Sequence, residues 1–332
     1  MTSADDSEKL TTTIPEAQDG RRFDQALADL YPDYSRSRLQ GWIRKGRALL
    51  DGAVVQPRAR VSAGQQVELQ PELETMVDAA SENIPLDIIF EDDDVIVLNK
   101  PAGLVVHPGA GNPAGTLLNG LLHHAPELEK LPRAGILHRL DKDTSGLLLV
   151  TKSVTAQTQL TRDLEQRLIR REYRAVCQDR LTAGGTVDAP IGRHRVHRTR
   201  MAITNAGRPA VTHYRVLERF AHHTYIAVRL ETGRTHQIRV HMAHVNHPLI
   251  GDPVYGGRLR LPRGASEGVR EALQSFRRQA LHASDLGFTH PVSGADLQFH
   301  APLPQDLQAL LDILADGADR DFDAMRWPEA RT

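Results

Sequence analysis

Two amphipathic helices are predicted near the N-terminus, because apolar residues recur there at every third or fourth position. The first helix carries Phe23, Leu27 and Leu30 on one face and is expected to end before Pro32. A second, basic helix follows and is expected to end at Gly46, since glycine favours the residue after a helix C-terminus.

The pattern changes to short strands after the second helix. Apolar segments at 48–50 and 53–55 flank Asp51 and Gly52, a dipeptide that favours a tight hairpin turn. Two helices followed by a hairpin predict a compact domain over residues 21–80.

A second, larger domain is predicted over residues 81–316. Its strands and helices do not alternate strictly, which argues against a doubly wound parallel sheet and favours a mixed α+β fold. Strands are expected at 88–90, 95–98, 146–151, 172–177, 211–217, 225–231, 286–290 and 297–300, and helices near 153–168, 235–246 and 304–315. The flanking segments 1–20 and 317–332 are expected to be tails, and the first is expected to be disordered because it is polar and acidic.

The composition is that of an ordinary globular protein. The chain has 332 residues, of which 40% are hydrophobic and 25% are charged, enough for a sizeable core. Its one cysteine, Cys177, excludes a disulfide framework and favours a reducing compartment. No apolar run reaches the ~18 residues that a membrane helix needs, and no early segment resembles a signal peptide. We therefore expect a cytoplasmic protein that does not associate with membranes.

The distribution of charge favours nucleic acid, although the net charge of −1 does not. Only six of the 41 basic residues are lysine, so 35 are arginine, and they cluster at 162–174, 193–200 and 258–278. A genome rich in G and C would explain the excess of arginine but not its clustering. The planar guanidinium suits phosphates and base edges, so an RNA partner is expected.

Residues 138–146 form the most unusual segment of the chain, with the sequence HRLDKDTSG directly before the apolar run of residues 147–150. Charged groups beside a core need partners or a function, and catalytic groups are common where a loop meets a strand. Asp141 is therefore either a catalytic carboxylate or half of a structural ion pair.

Two other kinds of site were possible on the residues alone. If the segment is extended, Asp141 and Asp143 lie on one face about 7 Å apart, as in an inverting glycoside hydrolase. A metal site is not expected among the four histidines of residues 236–247. No cysteine accompanies them, and their spacing fits a helix that faces phosphate equally well. These histidines are His236, His241, His244 and His247.

Four long motifs resemble those of family A of the large-subunit ribosomal RNA pseudouridine synthases. In chain order they are NKPAGLVVHPGAGNPAGTLLN, PRAGILHRLDKDTSGLLLV, REYRAV and LETGRTHQIRVHMAHVNHPLIGDPVYGG. The resemblance extends from about residue 21 to about residue 310, and the N-terminal domain resembles the S4-like RNA-binding domain. It implies an S4-like domain followed by a catalytic domain whose mixed, largely antiparallel sheet is flanked by helices and loops.

The resemblance also implies roles for individual residues. Asp141 would be the catalytic aspartate, and Arg234 the guanidinium that pairs with it. Tyr173 would stack on the target base, with Ile238 packed against its ring, and Arg139 would fill the place of the flipped base. The conversion of uridine to pseudouridine, which the resemblance implies, is an isomerisation, so no cofactor or metal is expected.

The expected partner is 23S ribosomal RNA, bound by a protein that acts as a monomer. Phosphate contacts are expected from the S4-like helix and from basic residues of the larger domain, namely Arg36, Arg38, Lys142, Arg193, Arg195 and Arg198. Overall similarity implies three target uridines in the loop of helix 69. A sister enzyme acting on other 23S uridines and a non-catalytic rRNA-binding assembly factor are the alternatives.

Overall fold

The computed structural model describes residues 9–31, 34, 36–70, 79–109, 111–197, 199–315 and 321–322, without the side chains of 37, 38, 321 and 322. Within these residues, no helix is both long and apolar enough to cross a bilayer.

The N-terminal domain packs two helices on a four-stranded sheet with the order β1-β4-β2-β3. Its elements are β1 (Leu10–Thr13), α1 (Phe23–Leu30), α2 (Arg36–Arg44), β2 (Ala48–Leu50), β3 (Ala53–Val54) and β4 (Gln66–Leu69). The apolar face predicted for the first helix is confirmed, since Phe23 and Leu27 are fully buried in one core with Leu39 and Ile43 of α2. The predicted hairpin is also confirmed, with Asp51 and Gly52 both at positive φ between β2 and β3.

The N-terminal segment is ordered over part of the range that was expected to be a disordered tail. β1 pairs antiparallel with β4, so that Leu10 lies opposite Leu69. The prediction of disorder for residues 1–20 is therefore wrong from residue 10 onward. The strand has one leucine followed by three threonines, so its alternating burial has no counterpart in a polar and apolar pattern that the sequence could reveal.

The larger domain is built on one extended sheet with the order β16-β12-β13-β8-β14-β7-β6-β5, in which β15 pairs with β14 and β9 with β12. The strands of this sheet are β5 (Ile88–Glu91), β6 (Val95–Lys100), β7 (Ser145–Thr151), β8 (Arg170–Gln178), β9 (Gly185–Asp188), β12 (Val211–Arg219), β13 (His223–Leu230), β14 (Leu281–Thr289), β15 (Asp296–His300) and β16 (Asp321–Phe322). Two further strands, β10 (Ile191–Arg193) and β11 (Met201–Ile203), pair with each other in a separate sheet. All strand pairs in the extended sheet are antiparallel except β14 with β7. The α+β fold with a mixed, largely antiparallel sheet is thus confirmed.

Helices cover this sheet, and the sequence pattern located only some of them. They are α3 (Leu117–His124), α4 (Val154–Glu165), α5 (Gln237–His244), α6 (Glu267–Ser275) and α7 (Gln305–Ala315). Helices α4, α5 and α7 lie where they were predicted. Helices α3 and α6 were missed, as was the two-residue strand β16, which lies in the expected C-terminal tail and pairs with β12.

Strand β7, which follows the loop that carries Asp141, is buried on both faces. Leu148 and Val150 belong to one core cluster, and Leu147 and Leu149 belong to the cluster on the opposite face. A strand covered on both sides reads as a continuous apolar run, which explains the sequence of residues 147–150. The loop carrying Asp141 therefore enters a rigid part of the sheet.

Gly146 allows β7 to lie against β14 immediately after that loop. Its φ is 115°, and a Cβ atom there would lie 2.2 Å from the carbonyl oxygen of Ala283. Only glycine is compatible with both the backbone conformation and this close approach.

We expect Gly146→Ala to lower the melting temperature strongly or to prevent folding, because the new methyl group must displace the backbone of β14. Gly268→Ala is the matched control, since Gly268 is helical and has open space around its Cβ position. That control is expected to be neutral or slightly stabilising. Equal melting temperatures for Gly146→Ala and the parent chain would contradict this account.

Candidate active site

A cavity of about 790 Å³ opens at one edge of the larger sheet. Its walls come from the loop before β7, from β8, from the end of β13 and from the start of α5. Asp141, Tyr173 and Ile238 all line it, and so do Arg139 and Arg234. Five residues named from the sequence are thus brought together around one space.

The turn that carries Asp141 is stabilised by a hydrogen bond from a buried lysine. The Thr144 amide donates to the Asp141 carbonyl at 3.0 Å, which closes the turn. The Lys100 ammonium is fully buried and donates to the carbonyls of Pro101, Leu104 and Lys142. Burial lowers the pKa of Lys100 to about 8, although the nearby carboxylates of Asp143 and Asp141 act to raise it.

Asp141 forms its ion pair with Arg239, which corrects the sequence prediction. The Arg239 Nη1 atom donates to Asp141 Oδ2 at 2.8 Å, while Nε and Nη2 donate to the two oxygens of Asp252 at 2.7 and 2.8 Å. Burial alone would disfavour the guanidinium charge, but the hydrogen bonds and charge of Asp252, together with Asp141, raise the pKa of Arg239. One permanently charged group therefore orients the Asp141 carboxylate.

Arg234 lies elsewhere in the cavity wall and does not pair with Asp141. Its Nε donates to the carbonyl of Pro209 at 3.1 Å. Burial and the neighbouring guanidiniums of Arg208 and Arg167 lower the pKa of Arg234. The residue is therefore part of a cationic section of the wall rather than the partner of the carboxylate.

Asp252 is itself oriented by backbone groups, so the ion-pair network is fixed at both ends. Its Oδ1 accepts the amides of Val254 and Tyr255 at 2.8 and 2.9 Å. Burial opposes its charge, but the Arg239 guanidinium holds the pKa of Asp252 below its usual value. The Tyr255 ring lies under the Arg239 guanidinium, 5.0 Å from its central carbon.

His236 lies on the other side of the carboxylate. Its Nε2 is 3.8 Å from Asp141 Oδ1, and its Nδ1 bonds the Tyr255 hydroxyl at 2.8 Å. It precedes α5 in the left-handed conformation, with φ of 58°. Burial lowers the pKa of His236 despite the charge of Asp141, and the Arg239 charge lowers it further.

Tyr173 and Ile238 form the apolar part of the cavity. Both side chains are about as buried as core residues, with exposed fractions of 5% and 4%. Burial raises the pKa of the Tyr173 hydroxyl, so the ring is neutral at physiological pH. An aromatic face beside an ionised carboxylate suits a planar, neutral ring such as a nucleobase.

Arg139 is exposed at the cavity wall, while its neighbours in the sequence face inward. Leu140 is buried and His138 is half-buried. Burial, together with the nearby charges of Arg139 and Arg133, lowers the pKa of His107 to about 4. An exposed arginine at the entrance of a cavity can reach a duplex from which a base has been extruded.

Four of the remaining basic residues proposed as RNA contacts, Arg36, Lys142, Arg193 and Arg195, do not line the cavity. Arg193 and Arg195 are exposed at and after β10, and Lys142 is exposed beside the active turn. Arg36 is half-exposed and donates to the fully buried Asp24 at 2.8 Å, so its guanidinium is shared with a structural ion pair. The side chain of Arg38 and the whole of Arg198 lie outside the described residues.

The two alternative sites find no support in the geometry. Asp143 does not line the cavity, so the pair of carboxylates that the sequence offered for a glycoside hydrolase does not meet in this space. His241 bonds Thr212 and the carbonyl of Ala189, and His247 bonds the carbonyl of Gln178. Across the described ranges, no group of three or more His, Cys, Asp or Glu side chains could hold a metal ion.

Sequence reasoning missed Arg239 and Asp252, although a signal for each was present. Arg239 interrupts the apolar pair Ile238 and Val240, which indicates a buried charge that requires a partner. Asp252 is a single carboxylate between glycine and proline in an otherwise apolar stretch. Neither signal identifies which charge meets which.

The geometry agrees with comparisons against known proteins. A family model described as RNA pseudouridylate synthase matches residues 94–244, and an S4 domain model matches residues 21–67. Ribosomal large subunit pseudouridine synthase D of Escherichia coli strain K12 is 54% identical over 320 residues, covering 96% of this chain and 98% of that protein. The protein of the same name from Vibrio parahaemolyticus is 56% identical over 306 residues, covering 92% and 94%.

Solved structures give the same result for the fold. Human RNA pseudouridylate synthase domain containing 4 is 26% identical, with a TM-score of 0.54, covering 68% of this chain and 92% of its own. The human domain containing 1 protein has the same TM-score of 0.54 at 23% identity and covers 74% and 93%. This chain belongs to the RNA pseudouridylate synthase family. Its N-terminal domain is an S4 domain.

The neutral, buried histidines predict a loss of stability in mild acid. Burial lowers the pKa of His138 to about 3, assisted by the Arg171 charge, and that of His107 to about 4. The unfolded chain binds protons on these rings below its own pKa of about 6.5, whereas the folded chain does not. The free energy of unfolding is therefore expected to fall as the pH is lowered from 7 to 5.

Urea unfolding at pH 7, 6 and 5 measures this slope, and it should be shallower for His138→Gln. The His138 Nε2 accepts the Leu149 amide at 3.2 Å, a bond that the glutamine carbonyl can replace. A slope that is flat, or unchanged in the variant, would show that His138 is not responsible.

Proposed function

We propose that this chain isomerises uridines of large-subunit ribosomal RNA to pseudouridine, with Asp141 as the catalytic carboxylate. One observation carries the proposal: a carboxylate with 15% exposure sits in a cavity with room for an extruded nucleotide, paired with a buried arginine and close to a neutral aromatic ring. The names of the curated relatives support ribosomal RNA of the large subunit as the substrate.

The chemistry needs an ionised carboxylate at the sugar. The bond from N1 of uracil to C1′ breaks, the base turns, and C5 bonds to C1′. The C5 proton leaves to solvent and N1 takes up a proton from solvent, so the product is an isomer of uridine. Asp141 begins this sequence either by bonding to C1′ or by removing the C2′ proton, and both routes require its charged form. Arg239 takes the part that the sequence assigned to Arg234, because it fixes the charge and the direction of the carboxylate.

The other residues bind and position the base. Tyr173 stacks on the uracil ring, and Ile238 packs against the tyrosine. Extrusion of a base from its stack costs a few kcal/mol. Arg139 offsets part of this cost by occupying the space that the base leaves.

We propose 23S ribosomal RNA as the partner and three uridines in the loop of helix 69 as the targets. The enzyme acts in the cytoplasm as a monomer and uses no cofactor. Phosphates outside the cavity are contacted by basic side chains of both domains, namely Arg36, Arg38, Lys142, Arg193, Arg195 and Arg198.

Release of tritium from a 23S rRNA transcript labelled at C5 of uridine tests the activity. The parent chain is expected to release label to water, and Asp141→Asn is expected to bind RNA while turnover falls by at least about 10³-fold. Asp143→Asn is the matched control, since Asp143 lies in the same turn but not in the cavity wall, and it should retain turnover. Binding by the parent chain without any release would instead indicate a non-catalytic rRNA-binding protein.

The assignment of Arg239 is tested by Arg239→Lys against Arg234→Lys. Lysine cannot donate to Asp141 and bidentately to Asp252 at once, so kcat should fall by roughly 100-fold as the carboxylate loses its orientation. Arg234→Lys is expected to lower kcat much less than Arg239→Lys does, because the Arg234 side chain donates to the Pro209 carbonyl and not to Asp141. The reverse pattern in single-turnover rates would restore Arg234 as the partner of the carboxylate.

A further inference from the structure

Arg171 is a buried cation for which the described part of the chain provides no partner. Its exposed fraction is 6%, and its Nε is fully buried without a hydrogen-bond acceptor. Arg239, with a similar burial of 5%, is held by two carboxylates. Isolated buried charges are strongly unfavourable, so a buried guanidinium without a partner indicates a missing anionic ligand.

The position of Arg171 places this charge in the active-site cavity. Strand β8 alternates, so that Arg171 and Tyr173 lie on the same buried face, roughly 7 Å apart along the strand. The Arg171 Nη1 lies against Gly233, where a Cβ atom would be only 3.0 Å away. The guanidinium therefore lies next to the base of the Gly233–Arg234 turn.

The surrounding wall is cationic beyond what its carboxylates can balance. Arg167 is paired with Glu231, and Asp141 is paired with Arg239. Arg208 and Arg234 also line this wall, and the charge of Arg208 helps to lower the pKa of Arg234. Within the described structure, the Arg234 side chain donates only to a backbone carbonyl.

We propose that Arg171, with Arg234, forms an anion site that receives the RNA backbone phosphate next to the flipped uridine. This inference rests on the proposed function, because it names the contact that holds the substrate of the same cavity. A phosphodiester carries one negative charge that is shared by its two non-bridging oxygens, and a guanidinium can donate two parallel bonds to them. The uracil carbonyls are neutral and would leave the charge of Arg171 without compensation.

The site also gives Gly233 a specific function. A Cβ atom at this position would lie 3.0 Å from the Arg171 Nη1, so the guanidinium would have to shift slightly. The glycine thus lets the guanidinium keep its present position against the turn.

Arg171→Met tests the site, since methionine keeps an unbranched apolar chain in place of the aliphatic stem and removes the charge. Arg170→Gln is the matched control, because Arg170 is exposed, is adjacent in the same strand and pairs with Asp296 instead. Arg171→Lys restores a positive charge without the planar fork.

Thermal unfolding with inorganic phosphate examines the site without any turnover. Phosphate is expected to raise the melting temperature of the parent chain and of Arg170→Gln, but not of Arg171→Met. Without phosphate, Arg171→Met is expected to melt at the parent temperature or higher, because an unpaired buried charge has been removed. A melting temperature below that of the parent would mark Arg171 as a structural residue and overturn the proposal.

Steady-state kinetics on the 23S transcript provide the second readout. Arg171→Met is expected to raise KM by about tenfold to a hundredfold with little change in kcat, and Arg171→Lys should recover part of the loss. The dependence of binding on salt should weaken by about one phosphate contact in Arg171→Met.

A lower kcat with unchanged KM and salt dependence would place Arg171 on the base and overturn the phosphate assignment. If the parent chain shows the phosphate-dependent shift but releases no tritium, the proposed function fails while the anion site stands.

Discussion

The active site depends on one buried guanidinium that joins two carboxylates from distant parts of the chain. Arg239 in α5 binds Asp141, 98 residues before it, and Asp252, 13 residues after it. Because Asp252 is in turn held by two backbone amides, the guanidinium has one orientation, and it passes that orientation to Asp141. Asp252 fixes the position of Arg239, and Arg239 in turn orients Asp141 toward the substrate.

The sheet supplies the second constraint on the carboxylate. Asp141 lies in a tight turn that precedes β7, a strand that is buried on both faces. Lys100 stabilises the turn by donating to the Lys142 carbonyl, and Gly146 lets β7 lie against β14 directly after the turn. A group placed by rigid elements on two sides needs little rearrangement when its substrate arrives.

The two buried arginines of the cavity show how pairing separates structure from binding. Arg239 is fully compensated by protein carboxylates and is therefore part of the framework. Arg171 has no such partner among the residues described, so its charge is directed at something from outside the chain. The fold holds an unfavourable charge at the site where an anionic polymer must enter, a common cost of function.

The sequence alone determined the elements with clear periods and the residues that the motifs name. The face of α1, the hairpin at Asp51 and the continuous burial of β7 follow from local spacing, and the segment around Asp141 was recognisable as a site. Tertiary structure alone decided which of two arginines in one segment meets the carboxylate, because that depends on where α5 begins and how it is rotated against the turn before β7. Charges carry no local period, so the choice of Arg239 over Arg234 is made by packing between elements far apart in the chain.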